Sequence, residues 1–296
     1  MPTDVRPSPI AGQWYPGDPR QLAAAVDSYL SAATPAAELG GAVVAVVAPH
    51  AGHRYSGPVA GHAFAAVRGL TPSLVAVVGP MHSPARGRVL TSAHGAYETP
   101  LGAVAVDGEA RDALNDAFAR ALGGELGAGL TPVRNDDEHS VEIELPFLQR
   151  ALAGDWRLLP LMVRDQRREV ARALGSALAR TLRGRLALLV ASTDLSHFYP
   201  QAEANRLDAE LLRRVEAFDP DAVLRAGDEG VGEACGIGAL AAVLWAAREL
   251  GADRVRVLSY ATSGDTSGDY ERVVGYAAAV VTRPGQPSST GPSGGG

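Results

Sequence analysis

The sequence contains no lysine and only one cysteine. Without lysine there is no glycine-rich phosphate loop of the kind that ends in lysine, and no G-x-S-x-G motif presents a nucleophilic serine. One cysteine cannot form a disulfide within the chain. Cys235 therefore favours a reducing compartment, where its thiol is available to bind a metal or to act as a nucleophile.

Long apolar runs and an excess of positive charge are also missing. No stretch approaches the length needed to span a bilayer, and the N-terminus lacks the basic segment and apolar run that direct secretion. The formal net charge is −6, which argues against a basic surface for nucleic acid or an anionic membrane. We therefore expect a cytoplasmic protein whose partners are neither nucleic acids nor membranes.

What the sequence does contain is an alternation of apolar strands and Ala/Leu-rich helices. Unbroken apolar runs such as AVVAVVA at 42–48 predict strands that are buried on both faces. The alternation predicts one α/β domain over residues 1–282, a three-layer sandwich with a mostly parallel or mixed central sheet. Residues 283–296, rich in Pro, Gly and Ser, are expected to form a disordered tail. Predicted strands are 42–48, 74–79, 158–163, 186–192, 255–261 and 273–281; predicted helices are 20–30, 110–122, 169–182, 202–218 and 237–250.

Histidines follow three of these predicted strands. His50 comes directly after 42–48, His82 after 74–79, and Asp194 with His197 after 186–192. Ligands of open α/β sheets bind outside the carboxyl ends of the strands. If the three strands are parallel neighbours, their loops converge. Each histidine alone is more simply a hydrogen-bonded loop residue, but three at equivalent strand ends indicate a shared site.

Cys235 lies just before the apolar helix predicted at 237–250. Unpaired N–H groups and the dipole at a helix N-terminus would stabilise a thiolate there. The simpler alternative is that Cys235 is a small buried residue with a structural role. The sequence alone does not favour either a functional thiolate or a structural cysteine.

His139 lies in an acidic segment, with Glu138 beside it and Glu142 three residues on. A carboxylate next to an imidazole can fix its tautomer and suit it to general acid or base chemistry, although a solvated acidic turn is the simpler interpretation. His53 would lie one helical turn from His50 if the chain coils there, and so could join the site.

Six motifs, in order, resemble those of the Memo family, whose bacterial and archaeal members are labelled AmmeMemoRadiSam system protein B. The resemblance spans residues 9–282. The motifs are AGQWYP (11–16), PHAG with YSG (49–57), GPMH (79–82), EHSVE (138–142), STDLSH (192–197) and CG (235–236).

The resemblance implies a fold like that of the class III extradiol (LigB-type) dioxygenases, non-haem iron enzymes in which two His and one Glu hold Fe(II). By motif, the metal ligands expected in this chain are His50, His82 and Cys235. The expected catalytic residues are His139, Asp194 and His197. The expected pocket residues are Trp14, His53, Tyr55, Glu138 and Glu142.

The cysteine at the third ligand position changes the expected metal chemistry. A thiolate is softer than the carboxylate of the dioxygenases, so copper or zinc become alternatives to iron, which is expected first. Three further departures from the family pattern are His53, which could add a fourth imidazole, Met81 in place of serine, and Gly236-Ile237-Gly238 in place of a Gly-Arg-x-Pro-type run.

Three functions follow as hypotheses. The first is a metal-dependent redox enzyme of unknown substrate, and the second is a hydrolase or transferase with Cys235 as nucleophile. The third is a non-catalytic module that binds a small molecule, a peptide or a partner protein. The family label names an AMMECR-like protein and a radical SAM protein as companions, which are the partners expected for that module.

Overall fold

The computed structural model describes residues 4–33, 40–124 and 129–284. Its strands are β1 (Val5–Arg6), β2 (Gly41–Ala48), β3 (Leu74–Pro80), β4 (Val89–Ser92), β5 (Ala96–Tyr97), β6 (Val104–Ala105), β7 (Thr131–Val133), β8 (Arg157–Val163), β9 (Ala187–Ser192), β10 (His197–Tyr199), β11 (Arg254–Thr262) and β12 (Val273–Pro284). Its helices are α1 (Pro19–Ala32), α2 (His53–Ala65), α3 (Gly108–Ala121), α4 (Leu145–Ala151), α5 (Arg168–Leu182), α6 (Gln201–Glu216), α7 (Pro220–Asp228), α8 (Ile237–Glu249) and α9 (Gly264–Ser267), with a 3-10 turn at Glu142–Glu144.

The main sheet is mixed, with a parallel centre and antiparallel flanks. Strands β2, β9, β3 and β8 are parallel neighbours in that order. On one side β12 runs antiparallel to β2, and β10 and β11 both pair with β12. On the other side β4 runs antiparallel to β8 and parallel to β7. A separate three-stranded sheet joins β1, β5 and β6.

The central strands pack helices on both of their faces. Along β3, Leu74, Ala76 and Val78 belong to one hydrophobic core, which also takes side chains from α3, α5, α7 and α8. The alternate residues Val75 and Val77 belong to a second core with α1, α2 and α4. Side chains alternate across a strand with a period of two, so an unbroken apolar run fills both cores. The predicted three-layer α/β fold is confirmed.

The six predicted strands and five predicted helices are all present, with their ends shifted by three residues or fewer. Helix α2 was not predicted, because it contains Gly57, Pro58 and Gly61. The glycines are needed where α1 crosses α2: a Cβ on Gly61 would lie 2.5 Å from the carbonyl oxygen of Tyr29.

The last strand extends two residues beyond the predicted domain boundary at 282. Arg283 pairs with Ala42, and Pro284 pairs with Gly41. The rest of the predicted tail, 285–296, lies outside the described residues. No helix in the described part of the chain has the length and apolar character needed to cross a bilayer.

Candidate metal centre

Three loops meet at the carboxyl edge of the parallel strands, as the histidine pattern predicted. His50 lies two residues past the end of β2, His82 two residues past β3, and Asp194 two residues past β9. Since β9 lies between β2 and β3 in the sheet, the loops are neighbours. The turn before α8 reaches the same edge, because the amide of Cys235 donates to the Asp194 carbonyl at 3.2 Å.

His50, His82 and Cys235 bring one possible ligand atom each to a common point. The three atoms lie within 4.8 Å of one another, and His50 Nε2 is 3.1 Å from Cys235 Sγ. The two imidazole rings stand edge to face, with centroids 5.2 Å apart. His50 is buried, whereas the side chain of His82 is 36% exposed, so the cluster opens towards solvent on the His82 side.

A buried serine fixes the tautomer of His50. Ser192 Oγ donates its one hydrogen to the carbonyl of Ser140 at 2.6 Å. At 2.9 Å from His50 Nδ1 the same oxygen must therefore accept, so Nδ1 carries the hydrogen and Nε2 is free. Burial also lowers the pKa of His50 well below its ordinary value. The ring is thus held neutral, which is the form that binds metals.

A carboxylate fixes the tautomer of His82. Glu138 accepts from His82 Nδ1 at 2.9 Å and from the His82 amide at 2.5 Å. Burial opposes its ionisation, but these bonds and that from the Ser140 amide outweigh burial and lower the pKa of Glu138 to about 2. Because the ionised carboxylate can only accept, His82 Nδ1 carries the hydrogen, which leaves Nε2 free to bind a metal. Pairs of this type are common behind metal-binding histidines.

The place of Cys235 before α8 does not give it a stabilised thiolate, which was one of the two alternatives that the sequence left open. Burial, and then the nearby carboxylate of Asp194, raise the pKa of the thiol to about 12. Two amides at the start of the helix are already occupied, since Gly236 N–H donates to Thr193 at 2.9 Å and Gly238 N–H to Gln166 at 2.8 Å. Without a cation beside it, this sulfur is a neutral thiol.

His139 lies against the ligand histidines. Its ring stacks on His82 with centroids 4.6 Å apart and stands edge to face with His50 at 5.3 Å. The ring of Trp14 lies 4.1 Å away. Burial lowers the pKa of His139 to about 4, although the adjacent Glu138 acts in the opposite direction. The arrangement gives the cluster a wall of aromatic rings, one of which is a neutral imidazole.

Asp194 and His197 lie in the same loop but face different partners. The Asp194 carboxylate accepts from the His50 amide at 2.8 Å and so organises the turn that carries His50; burial raises its pKa to about 7. His197 begins β10, with Nδ1 4.0 Å from a Glu233 oxygen. Burial lowers the pKa of His197, although the Leu195 carbonyl and the carboxylate of Glu233 act in the opposite direction.

Two of the predicted pocket residues, His53 and Glu142, point away from the ligand cluster. His53 packs its buried ring against Tyr15 and Phe147 and bonds the Ile143 carbonyl at 3.0 Å through Nε2, so it is not brought to the ligand cluster. Tyr55 is 39% exposed on α2, and its place in the pocket stays a prediction. Glu142 is fully buried behind the site, where Tyr15 donates to it at 2.7 Å.

Sequence reasoning missed the side chains that support the ligands. Ser192 and Ser140 were present in the motifs but had no role assigned, and Arg6 lay outside the motifs altogether. The available signal for Ser192 was a polar residue at the end of an otherwise apolar strand. For Arg6 no sequence signal was available, because its partners are more than a hundred positions away.

Comparisons with known proteins agree with the motifs. A family described as Memo-like protein matches residues 6–280. A MEMO1 family protein from Methanopyrus kandleri is 35% identical over 289 residues, covering 93% of this chain and 98% of its own. One from Methanothermobacter thermautotrophicus is 36% identical over 281 residues, covering 92% and 99%. The solved structure of an uncharacterized protein from Escherichia coli K12 aligns with a TM-score of 0.40 and 17% identity, over 70% of this chain and 86% of that one.

Proposed function

The chain belongs to the Memo family, and from that premise we propose that His50, His82 and Cys235 bind one transition-metal ion. The observation that carries the proposal is the convergence of three donor atoms within 4.8 Å of one another at the carboxyl edge of the sheet. Both imidazoles are held in the tautomer that leaves Nε2 free.

The three donor atoms fit one ion in chemistry, and one pair of them also fits in spacing. Metal bonds to nitrogen and sulfur are about 2.0 to 2.3 Å long, so two donors on the same ion stand roughly 3 to 3.7 Å apart. His50 Nε2 and Cys235 Sγ are 3.1 Å apart. A cation would also supply the charge that this buried thiol needs in order to ionise.

Two imidazoles and one thiolate form a mixed nitrogen and sulfur set. Such a set suits iron, copper or zinc and does not suit magnesium or calcium, which prefer oxygen. We propose iron first, because the motifs resemble those of non-haem iron dioxygenases. Copper and zinc are the alternatives, because the thiolate is softer than the carboxylate of those enzymes.

The function that this site supports best is that of a metal-dependent redox enzyme acting on a small organic substrate. A bound metal would supply a Lewis-acidic or redox centre at an opening towards solvent. The protein's own residues would bind and orient the substrate against the rings of Trp14 and His139, whose centroids lie 4.1 Å apart. His139 and His197 are both held neutral by burial, so either could accept a proton from a bound substrate.

Metal content of the purified protein tests the proposal. The wild type and the His50→Ala and Cys235→Ala variants would be purified anaerobically without chelator and analysed by mass spectrometry, with His62→Ala as a control, since His62 lies on α2 outside the cluster. We expect close to one iron or copper per chain in the wild type and in the control, and very little in the two ligand variants. Oxygen uptake with catechol-like substrates would then test the redox activity.

Absence of metal from every sample, even after anaerobic reconstitution, would contradict the proposal. Thiol alkylation then distinguishes the remaining hypotheses. A thiol that reacts near neutral pH without metal would favour Cys235 as a nucleophile. It would also contradict the pKa of about 12 given above for that thiol. An unreactive thiol would favour the partner-binding module, which pull-down with an AMMECR-like and a radical SAM protein would test.

A further inference from the structure

Arg6 has the largest completely buried side chain among the described residues. Its guanidinium donates to the Asp136 carboxylate at 2.9 Å, to the Glu142 carboxylate at 2.5 Å and to the Glu138 carbonyl at 2.7 Å. The ring of Tyr97 lies 4.7 Å from its central carbon. A planar guanidinium with five donors in a fixed fork can hold several acceptors in one geometry, which an ammonium group cannot do.

All of these hydrogen bonds go to one short segment, residues 136–142. That segment carries Glu138, which fixes the tautomer of His82, and His139, whose ring stacks on His82. It also carries Ser140, whose carbonyl accepts from Ser192 behind His50. The supports of both ligand histidines therefore lie on the segment that Arg6 holds from behind.

The path from Arg6 to the metal ligand is short. Arg6 Nη2 bonds the main-chain carbonyl of Glu138, and the side chain of the same residue bonds His82. The other two contacts, at Asp136 and Glu142, anchor the segment on either side of Glu138. Ser8 and Tyr15 also donate to Glu142, at 2.5 and 2.7 Å, so the N-terminal segment holds that end firmly.

Stability alone does not require an arginine here. Burying ions removes them from water at a cost, and apolar side chains of similar volume can often replace a buried ion pair without loss of stability. What an apolar replacement cannot reproduce is directional hydrogen bonding to three acceptors on one segment.

We infer that Arg6 is a positioning residue for the metal site, which holds residues 136–142 so that Glu138 presents His82 to the metal. This inference rests on the metal site proposed above. Arg6 acts through Glu138 and touches neither the ligands nor the substrate pocket.

The test must separate positioning from folding. Arg6→Met alone leaves the buried carboxylates of Asp136 and Glu142 without a cation, so it is expected to fold poorly. A compensated variant, Arg6→Met with Asp136→Asn and Glu142→Gln, removes those charges together. A second variant, Arg6→Lys, keeps the charge and loses the fork. Arg150→Met is the control, because it removes an arginine from an exposed ion pair with Asp27.

Two readouts are needed, one with metal and one without. Titration with Zn²⁺ measures affinity, and ¹⁵N NMR of the metal-free protein reports which nitrogen of His82 carries the hydrogen. We expect the compensated variant to fold and to bind Zn²⁺ roughly 10-fold or more weakly, with a mixture of His82 tautomers. Arg6→Lys should show a smaller loss, and Arg150→Met none.

Wild-type affinity and the wild-type His82 tautomer in either Arg6 variant would overturn the inference. If the wild type itself binds no metal, the proposed function fails, but the NMR comparison still tests the role of Arg6. If only Arg6→Lys folds, its tautomer and affinity decide the question.

Discussion

The two ligand histidines are supported in different ways. His50 is 1% exposed and donates to a neutral hydroxyl, that of Ser192. The side chain of His82 is 36% exposed and donates to a buried carboxylate, that of Glu138. A hydroxyl fixes the tautomer of an imidazole, whereas a carboxylate also raises its basicity as a ligand.

The difference shows how one site can combine a fixed donor with an open one. On the His50 side, burial excludes water, so a neutral hydroxyl is sufficient to orient the ring. On the His82 side, solvent reaches the ring, and the charge of Glu138 keeps it oriented. We therefore expect disruption of the Glu138 side to have larger effects than disruption of the Ser192 side.

The largest expected effect is a decrease in the free energy of unfolding as the pH falls. The pKa of Glu138 is lowered to about 2 in the folded protein, from an ordinary value of 4.5. Its contribution to stability is therefore complete above about pH 4.5 and disappears as the pH falls towards 2, a difference of roughly 3 kcal/mol. Urea unfolding of wild type and Glu138→Gln across this range should show the two free energies converging at low pH. A gap that does not change with pH would contradict the assignment.

Metal affinity should show the next largest effect. In the wild type, both Glu138 oxygens accept hydrogen bonds from N–H groups. In Glu138→Gln, one of those oxygens becomes an NH₂ group, which cannot accept. We expect metal binding to weaken by about 10- to 100-fold, as measured by titration. Asp137→Asn is the matched control, because that carboxylate lies next in the chain and accepts a hydrogen bond from Ser83, outside the ligand cluster. Equal metal affinities in Glu138→Gln and Asp137→Asn would contradict a specific role of Glu138 in metal binding.

Gly79→Ala should disturb the supports of both histidines together. A Cβ at Gly79 would lie 2.6 Å from Ser140 Oγ and 2.7 Å from its Cβ, so the Ser140 turn must move. We expect a loss of about 2 kcal/mol in the free energy of unfolding and weaker metal binding. Gly108→Ala, where the nearest atom is 3.9 Å away, should leave affinity unchanged. Metal binding by Gly79→Ala as tight as that of the wild type would mean that the position of the Ser140 turn does not affect metal affinity.

The smallest effect should come from Ser192→Ala. It leaves His50 Nδ1 and the Ser140 carbonyl without their partner inside the protein, at a cost of about 1 to 2 kcal/mol in stability. Because the ring remains buried and neutral, metal affinity should fall by less than about 10-fold. Calorimetry and titration of the same sample would check both values. A loss of affinity larger than that of Glu138→Gln would reverse the order proposed for the two sides.

The elements that could be predicted from the sequence were those with a strong local pattern. Unbroken apolar runs identified the central strands, and the polar residues that follow them identified His50 and His82 as neighbours. That step needed only the rule that parallel strands open a crevice at their carboxyl ends. Helix α2 was missed because Gly57, Pro58 and Gly61 hide its pattern.

The errors came from treating nearness in sequence as nearness in space. His53 was expected to lie one helical turn from His50, but α2 begins at His53, so the two residues are not on one helix. Glu142 was expected beside His139, yet the 3-10 turn that starts there directs it towards Arg6, 136 positions away. Contacts of that range depend on the packed fold, which no local pattern contains.

The proposed metal site requires that an imidazole and the Cys235 thiolate bind the same ion. Titration of the metal-free protein with Co²⁺ tests it most directly, because a bound thiolate adds a sulfur-to-cobalt charge-transfer band in the near ultraviolet. We predict saturation at one Co²⁺ per chain, with a band that disappears in Cys235→Ser and is lost with the ion in His50→Ala. No binding by the wild type, or the same spectrum in wild type and Cys235→Ser, would contradict it.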